Sequence, residues 1–130
     1  MNETSALPRP TDGELAILRV LWLRGSSTVR QVHEELVGEQ PIGYTTVLKL
    51  MQIMTEKGLV VRDERQRAHI YRSRVTEQRT QRQLLSDLLD RAFGGSAPKL
   101  VIQALTAKKT SPGELAEIRQ LLDRLEGEQV

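Results

Sequence analysis

The chain has 130 residues, with 19 Lys plus Arg against 17 Asp plus Glu for a net charge of +2, and no Cys. That length suits one compact domain or two small ones, and the lack of Cys excludes disulfides, thiolate metal sites and thiol redox switching. No apolar run approaches the roughly 18 residues needed to span a bilayer, and the start of the chain has no hydrophobic signal core, so a cytoplasmic protein without membrane insertion is expected.

Taken in chain order, residues 1–10, with Pro8 and Pro10, are expected to form a short extended arm. Thr11 then opens a capping box with Glu14, and Leu15, Ile17, Leu18, Leu21 and Trp22 follow at helical spacing. Gly25 ends that helix. Thr28 is the expected N-cap of a second helix reaching about Val37, with Val29, Val32 and Leu36 inward and Arg30, His33, Glu34 and Glu35 on its polar side.

A third helix is predicted from about Gly43 to Lys57, with Gly58 past its end in the C′ position. Placing Val47 at 0° on an ideal helix puts Leu50, Met51 and Met54 within about 60° of it, one inward stripe. The other side carries Thr45, Lys49, Gln52 and Glu56. Leu59 to Asp63 and Ala68 to Arg72 read as antiparallel strands, with Glu64-Arg65-Gln66-Arg67 at the tip, although no Asn-Gly or Asp-Gly marks a tight turn.

Beyond residue 76 the pattern is wholly helical. Thr76 caps a helix to about Phe93 with Leu84, Leu85, Leu88, Leu89 and Ala92 in a stripe, and Gly94-Gly95 breaks it. Ser96 caps a helix holding Leu100, Val101, Ala104 and Leu105. Ser111-Pro112-Gly113-Glu114 starts a last helix with Leu115, Ile118, Leu121, Leu122 and Leu125. The fold class is therefore mainly α with a small antiparallel β-wing: a winged helix-turn-helix over 11–75 followed by a helical region over 76–130. Three such helices without a sheet to cover them call for a second copy of the chain, with Leu84, Leu88, Leu100, Leu115, Ile118 and Leu122 as expected dimerisation residues.

Charge is unevenly spread. Residues 11–42 hold three basic and five acidic groups, whereas 43–74 hold seven basic and three acidic, so the positive field lies on the third helix and wing. Short hydroxyls, an amide and an ammonium suit base edges and phosphates of a major groove, making Thr45, Thr46, Lys49 and Gln52 the candidate reading residues. Arg65 and Arg67 are the candidate wing contacts, while Arg62, Arg72 and Arg74 fit either sheet support or phosphate. One Trp, two Tyr and one Phe are too few for stacking platforms, which favours duplex DNA over single strands or RNA.

The chain resembles the penicillinase-repressor family, the BlaI/MecI/CopY group of bacterial winged-helix regulators, over about residues 7 to 126. The resemblance is carried by Pro10-Thr11-Asp12, Leu18-Arg19-Val20-Leu21-Trp22, Thr28-Val29-Arg30-Gln31-Val32-His33, Tyr44-Thr45-Thr46-Val47-Leu48, Lys57-Gly58-Leu59-Val60, Arg67-Ala68-His69-Ile70-Tyr71 and Phe93-Gly94-Gly95. It implies a homodimeric transcriptional repressor on an inverted-repeat operator, dimerised through its C-terminal helices. In penicillinase-type members it further implies relief of repression by a partner protease under a β-lactam sensor. Copper-responsive members carry a C-terminal Cys cluster, which this chain lacks. Ile53 and Glu56 stand where family members often have Arg and Lys, leaving the end of this recognition helix less basic. The family's cleaved Asn-Phe bond aligns with Gln103-Ala104, so the cleavage region differs in chemistry.

An enzyme has no support: there is no Gly-rich phosphate loop, nucleophile motif, carboxylate pair or ligand spacing, and His33 and His69 have no metal-site companions. No cofactor or metal is expected. A winged helix that binds protein instead of DNA is the second reading, distinguished by titration against duplex DNA at several salt concentrations.

Overall fold

A computed structural model of the chain describes residues 9–128, and residues 1–8 of the expected arm lie outside them. Helix α1 spans Asp12–Arg24, α2 Val29–Val37 and α3 Tyr44–Lys57, followed by strands β1 Val60–Asp63 and β2 Ile70–Ser73 and helices α4 Glu77–Ala92, α5 Ala97–Ala107 and α6 Pro112–Glu128. The cap residues explain the helix starts. The Thr11 and Thr28 side chains each accept from the backbone amide at the third helical position, and their own backbone N–H donates in return to the side-chain oxygen of that residue, Glu14 and Gln31. Ser96 caps α5 by accepting from the Lys99 amide, and Ser111 with Glu114 forms the box that opens α6.

Two compact units divide between Leu84 and Leu85. The sequence predicts the winged helix to end at 75. Thr80 is 4 % exposed, so the first turns of α4 bury surface with the preceding unit.

In the first unit, α1, α2 and α3 each contribute one apolar stripe: Ile17, Leu18 and Leu21, then Val29, Val32 and Leu36, then Val47, Met51 and Met54, joined by Leu59, Val60 and Tyr71. Trp22 lies at the margin of this core, where its indole N–H is shared between Ser73 Oγ at 3.1 Å and the Val75 carbonyl at 3.0 Å. The strands pair antiparallel, with Val60 opposite Ser73 and Asp63 opposite Ile70. Tyr71 also exchanges backbone hydrogen bonds with Ser27, at 2.9 and 2.8 Å, so the segment before α2 acts as a one-residue third strand that docks the hairpin.

Leu59, expected in the first strand, instead completes the end of α3. Its amide donates to the Met54 carbonyl and the Gly58 amide to Thr55, with Gly58 at φ 83°. An added Cβ on Gly58 meets only Arg74 at 3.7 Å, so strain there comes from the left-handed backbone alone. Gly58→Ala is expected to lower unfolding stability by about 1 to 2 kcal/mol, read from the urea midpoint at unchanged m-value.

The second unit is differently built. No described residue from 85 to 128 is buried, and Leu85, Leu88, Val101, Ile102, Leu105, Leu121, Leu122 and Leu125 are between 38 and 64 % exposed. Leu100, Leu115 and Ile118 are half-covered. Gly94 and Gly95, at φ 57° and 81°, turn the chain between α4 and α5. No helix among the described residues is long and apolar enough to cross a membrane.

Candidate nucleic-acid interface

The inward stripe of α3 fixes what its other side presents. With Val47, Met51 and Met54 fully buried, Thr45, Thr46, Lys49, Gln52 and Glu56 are exposed, and none of the first four has a side-chain partner among the described residues. The helix is held at both ends. At its start, the His33 ring packs edge-on against Tyr44 with centroids 5.8 Å apart. His33 Nε2 lies 2.9 Å from the Ile42 carbonyl, which can only accept, so this nitrogen carries the proton. Gly43 has no side chain to cap the first-turn amides of α3.

At its far end, Lys57 Nζ donates to both oxygens of Glu14 at 2.9 Å. Glu14 is 1 % exposed and Lys57 about one-third exposed. Burial pushes the Glu14 carboxyl upward, but the Thr11 amide and Lys57 outweigh it and hold it below its ordinary value. The sequence showed Glu14 only as half of a capping box. Its second role, anchoring α3 to α1, depends on a contact 43 residues away.

The wing differs from its expected form. Its connection runs over residues 64–69, longer than the four-residue tip, because Asp63 turns back to accept from the Arg65 amide at 3.0 Å and from the Arg65 guanidinium at 2.7 Å. These bonds from Arg65 hold the Asp63 carboxyl down at about 2. Arg62 in turn bonds Glu64 at 3.0 Å, and Tyr71 and Glu64 together favour its charged form. Arg65 and Arg67 are both exposed, but Arg65 is paired with its own neighbour Asp63. Together with Arg30, Tyr44, Leu48 and His69, Arg67 lines a groove between the wing and the starts of α2 and α3. Arg30 and His69 were not among the residues expected to bind. The only sequence signal for them was membership of the basic stretch and of the polar side of the second helix.

Among the expected dimerisation residues, Leu84 falls in the first unit, while Leu88, Leu100, Leu115, Ile118 and Leu122 fall in the second, all incompletely covered. Gln103 and Ala104 are exposed on α5. No group of three or more metal-ligating side chains occurs among the described residues.

A three-helix core, an exposed third-helix face and a hairpin docked through Ser27 define a winged helix-turn-helix protein. Its fold matches the solution structure of the DNA-binding domain of the repressor BlaI, with a TM-score of 0.51 at 22 % identity over 56 % of this chain and 89 % of that one. The penicillinase repressor family model matches residues 10–124, and the chain belongs to that family. A transcriptional regulator BlaI of Mycobacterium tuberculosis is 42 % identical over 66 residues, half of this chain and 48 % of its own length. The match therefore spans about half of that relative. A penicillinase repressor of Bacillus licheniformis is 22 % identical over 117 residues, covering 90 % of this chain and 91 % of its own.

Proposed function

We propose that this protein is a cytoplasmic, homodimeric transcriptional repressor that binds an inverted-repeat operator through two copies of α3 and acts by occupancy, not catalysis. The observation that carries the reading is the exposed set Thr45, Thr46, Lys49 and Gln52 on a helix anchored at both ends. Preorganised hydroxyl, amide and ammonium groups can meet base edges without paying for reordering of the helix that bears them. The basic wing supplies contacts to the flanking backbone, which position the helix without reading sequence. Membership of the penicillinase repressor family supports the same assignment.

Apolar surface supports the second copy. A unit in which no described residue is buried has no core of its own, and eight large apolar side chains at 38 to 64 % exposure give it a surface that dimerisation would cover. A cut within α5, where Gln103 and Ala104 lie, would separate α6 from α4 and divide that surface. Cleavage by a sensor protease is thus a physically sufficient way to relieve repression.

Thr45→Ala, Lys49→Ala and Gln52→Ala test the reading after selection of an operator from random duplexes. Each is expected to cost about 1 to 3 kcal/mol on the selected site and to relax preference at particular base pairs. Equal losses on selected and random DNA for all three would mean that α3 does not read bases.

A further inference from the structure

We infer that a DNA backbone phosphate is gripped in the groove between the wing and the starts of α2 and α3, by Arg30 from α2 with Arg67 and His69 from the hairpin, and not by Arg65. The inference rests on the DNA-binding reading above and assigns its backbone contact.

Arg65, although its side chain is 88 % exposed, already has a close bidentate carboxylate partner. Asp63 holds Arg65 through both carboxylate oxygens, with guanidinium contacts of 2.7 to 3.1 Å, and Glu64 holds Arg62 at 3.0 Å. Arg62 and Arg65 thus each pair with a carboxylate two residues away. A phosphate arriving at Arg65 meets the Asp63 charge at the same place, so little counterion release results.

The groove has the opposite balance. Its lining residues Thr28, Arg30, Tyr44, Leu48, Arg67 and His69 bring two guanidinium groups and an imidazole together, and no carboxylate lines it. Arg30 touches Glu34 only loosely, at 3.8 Å, with side chains 82 and 68 % exposed, a contact that solvent screens and a phosphate can displace. Tyr44, the first residue of α3, forms part of the lining, and no side chain caps that helix. A phosphate seated here lies at the start of the recognition helix, where its position sets how α3 enters the major groove. Duplex DNA fits this geometry because α3 and the groove adjoin at Tyr44, so one strand's backbone can occupy the groove while its bases face Thr45 and Lys49. The groove formed by α1, α2 and the start of α4 differs: Arg19 and Arg24 there face Glu35, Glu39 and Glu77.

The test is the salt dependence of full-chain binding to a labelled random-sequence duplex, where phosphate contacts alone count. Arg30→Gln and Arg67→Gln are each expected to lower the log-log slope by roughly 0.9, Arg65→Gln to leave it unchanged, and Arg67→Lys to keep it. Asp63→Asn frees Arg65 and should raise the slope. All these side chains except Asp63 are exposed, and circular dichroism verifies that each variant folds. A slope that falls with Arg65→Gln but not with Arg30→Gln or Arg67→Gln overturns the inference alone. Failure of the unaltered chain to bind the duplex in a salt-dependent way overturns the DNA-binding reading, and this one with it.

Discussion

A fragment ending at Leu84 is expected to fold, sediment as a monomer and bind the full operator roughly 10²- to 10⁴-fold more weakly than the intact chain, the range set by loss of effective concentration between two linked half-sites. The end point comes from the structure: stopping at 75 would remove Thr80, which is buried with the first unit. On an isolated half-site the fragment should match one half of the intact protein, because α1 to α3 and the hairpin are all retained. Two recognition helices related by a two-fold axis would require half-sites about one helical turn, or a multiple of it, apart. Analytical ultracentrifugation together with binding to whole and half operators decides the matter. A dimeric fragment, or one that holds the full operator as tightly as the intact chain, would overturn the proposal that the second unit makes the dimer.

Lys57→Met should be the most damaging single change on the polar side of the first unit. It leaves Glu14 buried at 1 % exposure without its cation. The expected loss is about 2 kcal/mol at neutral pH, below the 3 to 5 of a fully enclosed pair because Lys57 itself is partly solvated. The pH dependence has a definite sign. The Glu14 carboxyl is held below its ordinary 4.5 in the folded chain, so the pair contributes stability above that value and loses it as pH falls through the folded pKa. Without Lys57 part of what lowers the Glu14 carboxyl is lost while the burial that raises it remains, so the gap between the two proteins should narrow in acid. The double variant Glu14→Gln with Lys57→Met should recover most of the loss, since Gln can still accept from the Thr11 amide as Gln31 does from Thr28. Urea unfolding at neutral and acid pH measures both effects, and a gap that widens in acid would show that Lys57 matters through packing alone. The same variant is expected to weaken operator binding, because the far end of α3 loses its tie to α1.

What could be read from the chain alone was local. Val29, Val32 and Leu36 recur at three and four residues, so one helix face suffices to identify them. Thr11, Thr28, Ser96 and Ser111 cap within three residues of themselves, and Gly58 needs only its own backbone angle. The outward set Thr45, Lys49 and Gln52 follows once Val47, Met51 and Met54 are placed inward, since a helix has only two sides. The family resemblance came from the same short stretches, and the family model now covers residues 10–124.

Tertiary structure decided whatever depends on distance in space without regularity in sequence. Glu14 and Lys57 are 43 residues apart, and no periodicity links a helix start to another helix's end. Ser27 became a strand partner of Tyr71 only because α1 ends where the hairpin returns. A turn without a defining Gly left the wing's length open, and with it which arginine its carboxylates would pair with: Asp63 took Arg65, two residues on, and left Arg67 lining the same groove as Arg30. Residue type and spacing reveal which side chains carry charge. Which charges are already spent inside the molecule is settled by packing, because ion pairing acts through a few ångströms of space and not through position along the chain.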